Sequence, residues 1–397
     1  MTITYKLSQE FHAGRRQALI ERVGQAGLDL LMVFDPTNIA YLSGFFHITT
    51  ERPIGLGFTA DGQVFGVCAA LEVEQLQSRA PWLTDVETFF DYPQGDWDWV
   101  ARRLAERGFA GKRVGVDLAN LVMGDAVAAY ESFRGVLGAG VGNGHAITAA
   151  LRQIKQPEEI AITRLACQYC DFLVGAGFTL LKEGVSEYEV HRQAEDAVIK
   201  KMLTDLPEII DTNGYVRGIV MGRTLFGGSS SLPHGPKGTA RLRRNSVVMI
   251  TYGTGVSNYV GETERSGFFG ERRPIDETRF QVMLEAQTAG IEAIGPGVRC
   301  CDVWQAVADV VQRHGMADAL RHHAGHGKGM EPHEPPFLDP GDETVLQPGM
   351  LLSCEPGLYF PGEAGFRHSD TILVTESGRE VLTRFPRDMK ALTVPLR

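Results

Sequence analysis

The apolar pattern of this chain changes character once, near residues 150–157, and that break constrains the fold more than any other feature. Before it, short apolar runs alternate with amphipathic stretches. Residues 9–27 read as an amphipathic helix ending at Gly27, LDLLMVF (28–34) as a buried strand, and Asp35-Pro36-Thr37-Asn38 as a turn. Residues 54–68 read as two strands around a hairpin turning at Asp61-Gly62. A helical stretch over 94–108 and a strand over 112–118 follow. Strands alternating with helices predict an α/β layer domain over residues 1–152.

After the break the order reverses. Pro157 with Glu158 and Glu159 suits the first turn of a helix, where proline and acids are favoured, and predicts a long helix to about 182, stopped at Gly184. Ser186-Glu187-Tyr188-Glu189 is a capping box and opens a second helix to about 203. Strands dominate 215–267, and two more helices are expected at about 276–294 and 302–315. This pattern defines a second domain, residues 153–397. Two domains also suit a chain of 397 residues, since single cores stop growing at roughly 250–300.

Composition narrows the function. A net charge of -10 argues against nucleic acid, because nothing would offset phosphate repulsion. The cluster Arg241, Arg243, Arg244 is too short to change that. No apolar run reaches the roughly 20 residues needed to span a bilayer. The polar N-terminal stretch MTITYKLSQEFHAGRR lacks an apolar signal core, so a cytoplasmic location is expected. Six scattered cysteines suit reduced thiols. Cys167 and Cys170 form a CxxC inside an expected helix, without the second pair a metal site would need.

Residues able to do chemistry collect in five segments of the second half. His234 follows Pro233 and precedes Gly235, in a loop that can face a cleft. Glu262 and Glu264 share a strand face by alternation, which is costly unless a cation or a shared proton relieves the repulsion. His326 lies between Gly325 and Gly327, which permit close approach of another backbone or a ligand, and His333-Glu334-Pro335-Pro336 follows. Glu355 ends an apolar strand, where an unpaired charge would be expensive. The fifth segment is Gly365-Phe366-Arg367-His368-Ser369-Asp370-Thr371.

In this order the segments resemble the superfamily of creatinase, prolidase, aminopeptidase P and methionine aminopeptidase. GHG at 325–327, EPGLY at 355–359 and GFRHSDT at 365–371 carry the resemblance, which covers nearly the whole chain. It implies an α+β protein. The C-terminal half would be a pita-bread fold with its site in a concave sheet, and the N-terminal half a creatinase-type α/β domain. The peptidases of this superfamily hold two metal ions through two Asp, one His and two Glu. Carried over, those positions are Thr251, Glu262, His326, Glu355 and Ser369, so two carboxylates are missing. The resemblance therefore leads to an expectation of no cofactor, with Glu262, His326 and Glu355 as the ligands if a single divalent metal ion is bound.

Creatinase is the metal-free branch, and Glu262-Thr263-Glu264-Arg265-Ser266 resembles its active-site strand. On that likeness the expected catalytic residues are His234, Glu264, Glu355 and His326. His234 would be the general acid and base. Arg52, His333, Glu262, Arg367 and His368 would bind substrate. Arg52-Pro53 resembles a pair that reaches into the neighbouring subunit, so a homodimer is expected. The sequence departs from creatinase at Thr50 and at Glu331–Pro336, which is peptidase-like. The main expectation is metal-independent hydrolysis of a C–N bond in a small carboxylate-bearing substrate, creatinase-like or ectoine-hydrolase-like. The alternatives are a single-metal Xaa-Pro aminopeptidase or dipeptidase, motivated by His333-Glu334-Pro335, and a catalytically silent binding module. Expected partners are a small-molecule substrate and a second copy of the chain, with no nucleic acid and no membrane.

Overall fold

A computed structural model describes residues 5–47, 49–90, 96–120, 126–206, 220–235 and 238–396. They divide into two units, one within Lys6–Arg152 and one within 153–396.

The first unit is built on a six-stranded sheet of β1 (Leu30–Val33), β2 (Gly55–Thr59), β3 (Val64–Ala69), β4 (Val86–Phe89), β5 (Val114–Asp117) and β6 (Val141–Asn143), in the order β4-β3-β2-β1-β5-β6. The hairpin expected at Asp61-Gly62 joins β2 to β3, with Gly62 at positive φ. The remaining connections bring β1, β5 and β6 together as parallel neighbours, as strand–helix alternation requires. One expectation changes. Residues 35–38 do not form a free turn but begin the helix Pro36–Ser43, where Asp35 caps the N–H of Asn38. Asp followed by Pro serves either structure, and here the buried apolar face of Ile39–Leu42 favours the helix. The helix expected at 94–108 runs over Trp97–Leu104, continues as a single wide turn, and ends where Gly108 adopts positive φ.

The second unit opens with the helix Pro157–Thr179, with proline at its start and a reciprocal cap between Gln156 and Glu159. The capping box at Ser186 starts the helix Glu187–Asp205. Residues 215–219 of the expected strand stretch lie outside the described residues. From there β7 (Val220–Phe226), β8 (Ser246–Val256) and β9 (Tyr259–Phe269) form antiparallel neighbours. Ser257 and Asn258, both at positive φ, make the two-residue turn between β8 and β9. The later strands are β10 (His326–Gly327), β11 (Glu334–Phe337), β12 (Leu351–Cys354), β13 (Gly357–Phe360), β14 (Ala364–Arg367), β15 (Asp370–Thr375), β16 (Gly378–Val381) and β17 (Thr393–Val394). They give one sheet in the order β17-β9-β8-β7, a second in the order β11-β10-β12-β15-β16, and the pair β13-β14.

A two-residue bridge decides where the chemistry goes. Glu264 and Ser369 exchange backbone hydrogen bonds of 3.1 and 3.0 Å, which tie the middle of β9 to the start of β15. The helix Pro157–Thr179 packs against β8 and β9, and the helices Pro274–Ala293 and Cys300–Arg313 pack on each other. All six cysteines are free, and Cys167 and Cys170 are buried in the first of these helices. Among the described residues no helix is long and apolar enough to cross a membrane.

Candidate active site

Strand register sets the site. Thr251 pairs with Glu264, and Gly253 with Glu262. Directly opposed residues of antiparallel strands share a face, and so do residues two apart on one strand. Glu262 and Glu264 therefore project together, next to Ser369 across the bridge. Gly325 allows β12 to approach, since a Cβ there would lie 2.1 Å from the Ser353 carbonyl oxygen. That approach brings His326 and Glu355 to the same place, with the Glu355 N–H donating to the Ala324 carbonyl at 2.7 Å.

Each buried carboxylate has a different environment. Glu262 accepts from Lys328 Nζ at 2.8 Å and from Ser369 Oγ at 2.6 Å. Burial opposes its ionisation, but Lys328 and His326 hold its carboxyl below the usual range. Glu264 accepts from Arg367 Nη2 at 2.7 Å, and its other oxygen lies 2.5 Å from Arg367 Nε. Burial pushes this carboxyl up, to about 8, with Glu355 and Glu262 adding to the push and Arg367 opposing it. Glu264 is thus the most basic carboxylate of the set. Glu355 is also opposed by burial, but His326, Arg367 and His322 hold it well below the usual range.

His326 shows its tautomer through its partners. Nδ1 lies 2.9 Å from the Gly327 carbonyl oxygen, which can only accept, so Nδ1 carries a hydrogen. Nε2 is fully buried, 3.0 Å from Glu355 Oε1, without an aligned hydrogen bond. A ring fixed by an Nδ1–H to a carbonyl, with Nε2 turned toward carboxylates, is the arrangement of a metal ligand. Glu262, His326 and Glu355 each bring one ligand atom to within 4.8 Å of the others. Two carboxylates of the set, Glu262 and Glu355, are held below the usual range and stay ionised, with Lys328 and Arg367 beside them. The donor set fits one divalent ion. A second ion finds hydroxyls at Thr251 and Ser369, and meets the Lys328 ammonium already on Glu262.

The other residues singled out from sequence fall in different places. His333 is exposed on one side, with its ring 4.1 Å from that of His326; desolvation on the packed side and repulsion by His326 lower its pKa to about 4. His234 sits exposed on a turn after the short helix Gly227–Ser231. Arg367 is spent on Glu264 and Tyr359 and has little left for a substrate. His368 does not line the ligand cluster: its Nε2 meets the Ser266 carbonyl and its ring packs edge-on against Phe280. Strand alternation turns His368 away from the side that Arg367 and Ser369 occupy. Asp370 pairs with Arg265 at 2.7 Å and accepts from Gln287 and Thr383, a buried supporting network. Arg52 belongs to the first unit, where it pairs with Glu51.

Sequence reasoning passed over Lys328. A lysine in GHGKG is a visible oddity, because a fully buried ammonium needs a buried acid. His322 and Tyr359 lie in segments singled out from the sequence but were given no role there; their ring nitrogen and hydroxyl lie 2.9 Å apart beside Arg367. Burial lowers the His322 pKa to about 4, so the ring is neutral at pH 7.

Comparison with known proteins agrees with this geometry. The model of metallopeptidase family M24 matches residues 161–376, and that of the creatinase/prolidase N-terminal domain matches residues 15–154. The Bacillus subtilis (strain 168) protein YkvY, named provisionally as a dipeptidase, is 28% identical over 376 residues, covering 94% of this chain and 99% of that protein. The dipeptidase PepE from Mycobacterium ulcerans superposes with a TM-score of 0.85 at 25% identity, covering 98% of this chain and 100% of its own. The prolidase from Pyrococcus furiosus superposes with a TM-score of 0.77 at 25% identity, covering 92% and 99%.

Two expectations are corrected. The expectation of no cofactor is overturned by a match to a metallopeptidase family together with three converging ligand atoms. The creatinase-like, metal-independent reaction expected first is not supported, because these relatives are named as dipeptidases and a prolidase. Loss of two carboxylates, at Thr251 and Ser369, favours the absence of metal but leaves the single-ion set in place. The three that would hold one ion are still assembled.

Proposed function

Because the chain belongs to metallopeptidase family M24, with the creatinase-type N-terminal domain and the pita-bread C-terminal domain of that superfamily, it is a hydrolase of C–N bonds, and we propose that it is a dipeptidase dependent on one divalent ion. The observation that carries this is the buried triangle of Glu262, His326 and Glu355, with His326 Nε2 facing Glu355 Oε1 at 3.0 Å. Those three residues would hold the ion. When bound, it supplies Lewis acidity toward a peptide carbonyl or a water molecule.

The chain's own groups do the rest. Glu264, the most basic carboxylate, accepts a proton within the site, and Arg367 holds it in place through two contacts. Lys328 fixes the orientation of Glu262. His333, neutral and against His326, offers a ring nitrogen to substrate, and exposed His234 meets substrate at the rim. In a homodimer Arg52 would reach the partner's substrate. A small peptide is the substrate class, and names of the relatives point to dipeptides, including those with C-terminal proline.

The test is a panel of Xaa-Pro and non-proline dipeptides, assayed after chelation and after re-addition of Mn2+, Co2+ or Zn2+, with metal content measured alongside. Turnover restored by the ion, at a stoichiometry near one per chain, is expected. Full turnover by thoroughly chelated, metal-free protein would refute the proposal.

A further inference from the structure

One cation on the site's face has no acid of its own among the described residues. Arg223 on β7 is paired in register with Thr251 on β8, Thr251 with Glu264 on β9, and Glu264 with Ser369. These four residues form one row across neighbouring strands, so their side chains open on the same face. The Arg223 guanidinium lies near enough to Arg367 and Glu264 to feel both charges. Its position is pinned by the backbone. The preceding Gly222 has φ +115°, and a Cβ there would sit 1.8 Å from the Thr251 carbonyl oxygen.

The contrast with the other cations around the site is sharp. Lys328 has Glu262, Arg367 has Glu264, Arg265 has Asp370, and Lys155 has Glu334. Arg223 is half-buried, and its hydrogen bond is a single Nη1 donation to the Gly235 carbonyl at 2.5 Å. Among the described residues no carboxylate is in ion-pair contact with it. A guanidinium carries five N–H donors in a planar fork that matches a carboxylate. Partial burial makes an unmet fork costly and a met one valuable. The bond to Gly235 ties the fork to the loop that carries His234, the preceding residue in the chain.

Resting on the dipeptidase reading, we propose that Arg223 receives a carboxylate on the leaving amino acid of the substrate. It would set the preference of this site for free acids over neutral peptides. A carboxylate there has two sources, the C-terminal α-carboxylate of a dipeptide or an acidic side chain at that residue. Arg223 lies on the same sheet as Glu262 and within the same unit of the chain as His326 and Glu355, so this recognition requires no second subunit. It is separate from the role expected of Arg52.

The experiment compares the metal-loaded wild type with Arg223→Met and Arg223→Lys, each checked for native melting. Ala-Pro against Ala-prolinamide tests the α-carboxylate, and Ala-Asp-amide against Ala-Asn-amide tests the side chain. In the favoured arm, Arg223→Met lowers the acid-over-amide ratio of kcat/KM by about 10- to 100-fold, mainly through KM. Arg223→Lys recovers part of it. Equal losses on acid and amide in both arms, or no loss in either, overturn the proposal. Calorimetric binding of N-acetyl-proline, N-acetyl-prolinamide and N-acetyl-aspartate to the same proteins separates this failure from failure of the peptidase reading. If wild type hydrolyses none of the dipeptides, tighter binding of the acids than the amide, abolished in Arg223→Met, still supports a carboxylate receptor. Equal or absent binding of acid and amide by wild type overturns it.

Discussion

Among the described residues, two clusters have the composition of a metal site, and only one has the electrostatics of one. In the first unit Asp35, Asp117 and His145 bring their ligand atoms together as closely as Glu262, His326 and Glu355 do in the second. Asp117 accepts from Asn38 Nδ2, Thr148 Oγ1 and His145 Nδ1 at 2.7 to 2.9 Å. Asp35 accepts from the Asn38 N–H and from Asn120 Nδ2. Neutral amides and hydroxyls saturate these carboxylates, and the network joins strand ends to the helix Pro36–Ser43. In the second unit the partners are buried charges, and His326 Nε2 faces Glu355 Oε1 at 3.0 Å. Residue type and spacing are alike in the two clusters. Buried charges around His326, and its Nε2 without an aligned hydrogen bond, distinguish the candidate site.

The largest expected difference is in activity. His326→Ala should lower metal affinity and kcat each by at least about a hundredfold, read by metal titration and dipeptide turnover. His145→Ala should leave both within about threefold, because its cluster is structural. Equal losses in the two variants would erase the distinction.

Next in size is stability in the functional cluster. Lys328→Met leaves Glu262 buried and unpaired, and should cost about 3–5 kcal/mol in denaturant unfolding. Added Mn2+ should recover more of that loss in the variant than it adds to wild type, since the ammonium no longer competes at Glu262. A variant as stable as wild type without metal would show that Lys328 is dispensable.

The smallest effect belongs to the structural cluster. Asp117→Asn should cost about 1–3 kcal/mol through weakened buried hydrogen bonds, with turnover retained. It should also change the pH dependence of stability. The hydrogen bond that His145 donates to Asp117 outweighs burial and raises the His145 pKa above its ordinary value of 6.5. A raised folded pKa contributes stability that is fully present below about 6.5 and lost as pH rises through the higher folded value. Thermal melts between pH 5.5 and 8 should show that decline in wild type and a flatter profile in the variant. An unchanged slope would assign the decline elsewhere.

Both domain types and the helix caps could be read from the chain because their signals are local. Proline and acids at 157–159, the box at 186–189 and the turn at 61–62 act within one turn of backbone. Glu262, His326 and Glu355 were also legible, because glycines, prolines and lone charges in apolar strands mark close approach and costly burial. The bonding between segments could not be read. His368 and Arg367 are adjacent in sequence, yet one packs on Phe280 and the other pairs with Glu264.

The sequence by itself therefore determined the architecture and the inventory of chemical groups, since hydrophobic period, caps and turns depend on near neighbours. Tertiary structure alone decided which charges are cancelled. Lys328 meets Glu262 across 66 residues, and Arg367 meets Glu264 across 103. Arg223, in the same strand row as Glu264, has no acid in ion-pair contact among the described residues. Electrostatic energy in a buried site depends on distances of a few ångströms between strands far apart in the chain, and only the folded sheet sets those distances.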